Sequence, residues 1–405
     1  MTINTTNLKN STKIKKERIE SIDILKGISI FWIVGGHISA SWLLSTDIWM
    51  YEMLYIFFLS TVGPANFIML SGLNLAISFN SKKDAGWNLH KIHIYTLKRI
   101  GVLFIISVVY NYFMAFVVNG YMGVNWFDFF SWYILQVICV SLIITIYVLQ
   151  INKIYRIILS FLIIFGGYPL HLWLCSLGVG GTIADHILYY PFPGIFWAFP
   201  LLPWSACAFI GCIIGEYFYK IKYNSDNENG LEKMKKFIIY LCFFGISFIT
   251  IAVLFGASSP TDPNSLWYQI AQHHVSELNT AWFFNFSSLP YFILPTHWTY
   301  LFYALGADFI MLAALAYYSD YLKRSNKIFN SFSFAGKIAF SVFIYHHFGI
   351  LLFSNTFNYI WVWPAWVGFA ILIIFLLWIL VKKFNGVGTI EWFMVVVTKK
   401  KSNTT

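Results

Sequence analysis

Charge is what this chain has least of. Only 11% of its 405 residues are Asp, Glu, Lys or Arg, against about 25% in a soluble globular protein. Hydrophobic residues make up 59%, aromatics 20%, and the mean hydropathy is +0.67. An ordinary soluble domain and a disordered chain are both excluded, which leaves a polytopic membrane protein. Cysteine is scarce as well: Cys139, Cys175, Cys207, Cys212 and Cys242 sit in apolar surroundings, without a CxxC or a Cys/His ligand spacing. A disulfide framework or a cysteine zinc site is therefore not expected. The formal charge of +10 would point to nucleic acid in a soluble protein. Here the cations lie in short turns between apolar runs, where they set topology and meet anionic lipid, and nucleic acid is not an expected partner.

A second absence is more informative. Lys and Arg cluster before Gly27, between Asn80 and Arg99, at Lys153 and Arg156, between Lys220 and Lys236, between Lys323 and Lys337, and after Val381. The turns between these clusters carry none, including the stretch from Gly256 to Thr299. Under the positive-inside rule this gives an all-α integral membrane bundle of about ten helices with both termini cytoplasmic. At about 20 apolar residues per span, the candidates are Ile22–Trp42, Tyr51–Phe79, Ile100–Val118, Phe129–Leu149, Ile157–Leu174, Phe196–Phe218, Phe237–Phe255, Thr299–Ser319, Ile338–Phe353 and Trp361–Val381. Residues 1–21 are then a cytoplasmic tail, 22–381 one transmembrane domain and 382–405 a cytoplasmic or interfacial tail. The expected location is the cell membrane. Gly63-Pro64 should kink the second span, because proline removes a backbone hydrogen bond. Two outer segments, Cys175–Ile195 and Gly256–Trp298, are long for such a bundle.

The first span carries the richest chemistry. Lys26 and His37 are eleven positions apart, about 16 Å of helical rise and close to three full turns. They share a face, with the cation at the inner mouth and the imidazole in the outer half. That arrangement suits an anionic cofactor entering from inside and presenting its reactive end to a base. The adjacent Gly35-Gly36 permits close approach of a helix or a ligand. Asp308 lies mid-span, where an unpaired charge costs about 2.5–3.5 kcal/mol, so it must be protonated, paired or facing a wet cavity. His346 and His347 are also mid-span; adjacent residues point to different helix faces, so at most one is expected at a given site. Asp185-His186 and His273-His274 read as solvated outer-loop residues. No metal is expected, since the outer histidines lack ligand spacing.

Several strings resemble the transmembrane acyltransferase superfamily, which includes the heparan-α-glucosaminide N-acetyltransferase family and the bacterial sugar O-acyltransferases. They are Arg18…Asp23…Lys26-Gly27 followed by His37; Gly63-Pro64…Phe67…Ser71-Gly72; Trp132…Gln136; Phe199-Pro200…Pro203-Trp204 with Gly211 and Gly215; Gly336-Lys337…Ser341…Tyr345-His346; and Gly388…Glu391-Trp392. They occur in the family's order across nearly the whole chain. The departures are specific. Lys26 stands where the pattern usually has arginine. The heparan enzyme carries its active histidine in the outer segment after the first span, whereas this chain has no histidine between Ile38 and Leu89. His37 matches instead the Lys/Arg-x10-His pattern of the sugar O-acyltransferases.

The resemblance implies transfer of an acetyl group from acetyl-CoA on the cytoplasmic side to a hydroxyl or amine of a carbohydrate or glycoconjugate at the outer side. His37 would be the general base, with Asp308 and His346 as further catalytic candidates; a covalent acyl-imidazole relay stays open beside direct transfer. Lys26, Lys98 and Arg99 would meet the donor's phosphates, and Asn74 is a further cofactor-binding candidate. The alternative is a transporter or flippase for a sugar or lipid-linked glycan, with His37 and Asp308 as a proton relay. Between monomer and homodimer the sequence does not choose.

Overall fold

The computed structural model describes residues 18–119, 133–178, 200–223, 227–295 and 297–398. The segment around Asp185 and His186, expected on the outer side, lies outside them, as do Trp132 and Phe199. The described residues are helical, with one isolated bridge between Leu43 and Phe357. Among them, seven helices are long and apolar enough to cross a membrane, or eight if a pair bent by 78° at Ile338 counts as one.

This differs from ten uninterrupted spans for local reasons. The expected Tyr51–Phe79 helix is split: Ile48–Leu54 runs into a wide turn at Tyr55–Leu59, and a new helix, Pro64–Asp84, starts with proline in its first turn. Proline has no N–H to donate and is tolerated there. Ile134–Val148, expected to begin near Phe129, is only 15 residues long. The expected Ile338–Phe353 helix is interrupted at His346 into Ala339–Tyr345 and His347–Ile350, and a second break at Ile338 sets it off from Lys327–Lys337, so the stretch from Lys327 to Ile350 is a helix broken twice.

Three helix pairs make the largest contacts: Pro64–Asp84 with Leu201–Tyr223, Asn227–Gly256 with Trp298–Leu315, and Glu20–Trp42 with Lys327–Lys337. Glycines permit the approach. A Cβ built on Gly27 would lie 1.9 Å from the Phe332 carbonyl oxygen, and one on Gly211 2.0 Å from that of Met69. Without a side chain, the backbones pack at distances that dispersion rewards even in lipid. Lipid-facing surfaces remain apolar, with Ile105, Leu162, Leu254 and Ile371 all exposed.

One end of the bundle is capped. Leu266–Leu278 and the turn Tyr291–Ile293 pack over Ile48–Leu54 around Ile56, Trp267, Leu278 and Leu294. His274 was expected in solvent. It is instead 2% exposed, with its Nδ1 2.6 Å from Glu52 Oε2. The helix docks onto a buried carboxylate, and the imidazole is the group that satisfies it. Arg156, read as one more topological cation, is likewise a buried partner of Glu216 at 2.8 Å. The described cysteines Cys139, Cys207, Cys212 and Cys242 are free.

Candidate active site

Two places concentrate polar chemistry, and the first helix runs through both. At its start, a cavity of about 490 Å³ is lined by Arg18, Lys26, Lys82, Arg99 and Lys337, with Asn74 on its wall. That volume is of ligand size. Five cations face only Asp23 and Glu391, and Asp23 is already held by Arg18 at 3.0 Å. The cavity is thus a net cationic bowl, suited to several phosphates. Lys82 is anchored by donating to Ser78 and stands 4.5 Å from the centre of the Tyr95 ring, so the aromatic face steadies it. Of the expected phosphate ligands, Lys26, Arg99 and Asn74 line the cavity. Lys98 does not; it is exposed and points elsewhere.

Toward the other end of that helix, His37 meets the twice-broken helix. The contact is fixed at three levels. Gly336 lies against Gly27 and the Asp23 carbonyl at the base. Glu391, from the C-terminal helix Ile390–Thr398, accepts from the Phe340 amide (2.9 Å), the Ser341 amide (3.3 Å) and the Ser341 hydroxyl, so it caps the N-terminus of Ala339–Tyr345. At the far end, Trp42 Nε1 donates to the Gly349 carbonyl at 3.0 Å and the Ser41 hydroxyl to that of Ile350 at 3.3 Å.

Held this way, His37 Nδ1 lies 2.9 Å from His346 Nε2, with the rings stacked 5.1 Å apart. His346 Nδ1 is 3.2 Å from the Val342 carbonyl. A carbonyl only accepts, so His346 carries its proton on Nδ1, and its Nε2 accepts from His37 Nδ1–H. The lone pair of His37 is then on Nε2, and that ring is only part-buried. An imidazole oriented through one nitrogen, with the other free to take a proton, is the arrangement of a general base.

His347 joins the same cluster, contrary to the expectation that only one of the adjacent pair would. Its ring lies 4.9 Å from that of His37 and 3.8 Å from that of His346. The expectation assumed an unbroken helix; a turn at His346 interrupts it, and each ring folds back onto the carbonyl four residues earlier. His347 Nδ1 donates to the Phe343 carbonyl at 3.0 Å, and the Tyr110 hydroxyl donates to its Nε2 at 2.6 Å. One ring nitrogen from each of the three histidines lies within 4.8 Å of the others, a spacing that could hold a metal ion. Their lone pairs are largely spoken for, however, and no carboxylate joins the group among the described residues to neutralise a dication.

Asp308 is elsewhere. It is fully buried in Trp298–Leu315, near Cys207, with no hydrogen-bond partner on either carboxyl oxygen among the described residues. The structure brings His37 and His346 together and leaves Asp308 out. A His37–Asp308 proton relay finds no hydrogen bond to run through.

The family model for heparan-α-glucosaminide N-acetyltransferase, catalytic part, matches residues 18–255. The chain belongs to this family. Among curated proteins, a search finds no match. The matched stretch of this heparan-α-glucosaminide N-acetyltransferase family member contains Lys26, His37, Asn74 and Arg99, whereas Asp308 and His346 lie beyond it. Membership makes the chain a membrane acyltransferase by class, consistent with its apolar helices.

Sequence reasoning missed Lys82 and Tyr110, and it named Arg18, Lys337 and Glu391 only within the strings of the resemblance, without placing them at these two sites. The spacing of Ser78 and Lys82, one helical turn apart, was a readable signal for an inward lysine. Nothing in the sequence announced Tyr110.

Proposed function

We propose that the protein transfers an acetyl group from acetyl-CoA, bound through its phosphates in the cationic cavity, to a hydroxyl or amine of a carbohydrate or glycoconjugate arriving from the opposite side. The observation that carries this reading is the oriented His37–His346 pair, whose His37 lies on the same helix as Lys26 and beyond the cavity. His37 Nε2 takes the proton from the acceptor O–H or N–H as the acceptor's oxygen or nitrogen attacks the thioester carbonyl. The C–S bond breaks, and the leaving thiolate takes the proton back from His37. His346 accepts from His37 Nδ1–H throughout and spreads the charge of the imidazolium. Direct transfer fits this geometry, because the free nitrogen is positioned as a base and no second nucleophile is required.

The Lys/Arg asymmetry supports a cytoplasmic cavity mouth and cytoplasmic termini. With the Pro64–Asp84 and Ile134–Val148 helices counted, ten crossings follow, in the cell membrane. The histidine cluster works without a metal in this reading. Purified protein given acetyl-CoA and candidate sugars should release free CoA in step with acylated sugar. Binding of acetyl-CoA without CoA release for any acceptor would refute acyl transfer.

A further inference from the structure

The cationic cavity and the histidine cluster are not continuous. His37, His346 and His347 are absent from the cavity lining, which includes Phe67 and Phe340. The Phe67 ring lies 5.7 Å from that of Phe340, edge to face, and 6.4 Å from that of Phe343. Phe343 then touches the other side: its ring is 6.2 Å from His37, 5.7 Å from His346, 5.6 Å from His347 and 5.7 Å from Tyr110. It is 2% exposed and sits one helical turn beyond Phe340 on the capped helix Ala339–Tyr345.

We propose that Phe343 is the specificity-determining wall of the acyl site: it bounds the space beside His37 and limits the group transferred to a short acyl chain. This rests on the acyltransfer reading above. An acyl group entering from the cavity must pass Phe67 and Phe340 and lodge against Phe343 before its carbonyl carbon meets an acceptor held by His37. An aromatic ring packed on four polar rings has little room to withdraw. Each added methylene therefore pushes on a filled core, where overpacking opposes entry. Truncating the ring removes that obstruction and leaves room for a longer tail. Ring contact also keeps water from the thioester, so the same truncation raises hydrolysis of the donor without acceptor.

The test measures dissociation constants and kcat/KM for acetyl-, butyryl- and hexanoyl-CoA with wild-type protein and with Phe343→Ala, Phe343→Leu and Phe343→Trp. Phe343→Ala should raise the butyryl-to-acetyl ratio of kcat/KM about tenfold or more, the discrimination one or two methylenes carry in an apolar pocket. Phe343→Leu should give a smaller rise, and Phe343→Trp should lower the ratio. Phe343→Leu keeps the question answerable if Phe343→Ala fails to fold. An unchanged ratio in a folded, active variant overturns the assignment while leaving acyl transfer standing. Wild-type protein that binds no acyl-CoA at all overturns the donor reading and this wall with it.

Discussion

His346 Nε2 stands 2.9 Å from His37 Nδ1, joining residues 309 positions apart in the chain. The Val342 carbonyl fixes the direction of that bond, leaving His37 Nε2 as the free base. His346→Ala should therefore lower kcat about 10- to 100-fold, the range lost with a hydrogen bond to a group that becomes charged. Acetyl-CoA affinity should stay close to wild type. An unaltered kcat would mean that His37 needs no orientation.

The cavity cations should separate by position. Lys26→Ala and Lys82→Ala should each weaken acetyl-CoA binding about tenfold or more, because a charge-assisted contact contributes roughly 1.5–3 kcal/mol. Lys98→Ala should change it little, since Lys98 is exposed outside the cavity. Isothermal titration of the three variants distinguishes them, and a Lys98 effect as large as that of Lys26 would relocate the phosphates.

Glu391 gives a pH signature. Burial raises its carboxyl above the ordinary value, partly opposed by the Ser341 hydroxyl and the Phe340 and Ser341 amides. The folded state thus holds this proton more tightly than the unfolded state does. Ionising it costs stability as pH rises from its unfolded value through its folded one. Glu391→Gln does not titrate, so its Tm relative to wild type should climb from pH 5 to pH 8. A constant Tm difference across that range would show that the capping bonds fully offset burial.

Close helix crossing is tested by Gly211→Ala. Its Cβ would meet the Met69 carbonyl oxygen at 2.0 Å, and that oxygen belongs to rigid backbone. Overpacking of this kind costs about 1–3 kcal/mol or more. A marked fall in thermal stability in detergent is expected, whereas Gly101→Ala, with nothing within 4 Å of its Cβ, should be silent. Equal stability of the two would place the helices farther apart.

Orientation can be checked in intact cells. An impermeant thiol reagent applied outside should label Ser265→Cys, at the start of the capping helix, and should leave Ser225→Cys, outside the described residues, unlabelled. The reverse pattern would invert the bundle and the sidedness of donor and acceptor.

What the sequence revealed follows from what is periodic. Lys26 and His37 ride one uninterrupted helix, so their spacing alone gives their separation along its axis. The break at Gly63-Pro64 was readable because proline acts locally. His347 was misjudged because helical-face logic fails where the helix breaks, and the turn at His346 has no proline or glycine to mark it. His274 was misjudged because its partner Glu52 is 222 positions away, a contact only the folded chain specifies. Lys98 looked equivalent to Arg99 because adjacency in sequence hides a helical rotation of about 100° between neighbours.

The central claim is that His37 Nε2 is the base for transfer. The most direct test is the single-turnover rate of acetyl transfer to a sugar acceptor by His37→Ala and His37→Gln, each shown to fold and to bind acetyl-CoA, before and after exhaustive chelation of the wild type. Both variants should lose about 10²–10⁴ in rate, as when a positioned general base is removed, and chelation should change nothing. Wild-type rates in folded His37→Ala would contradict the account. So would activity that vanishes with chelation and returns with zinc, which would make the three histidines a metal centre instead.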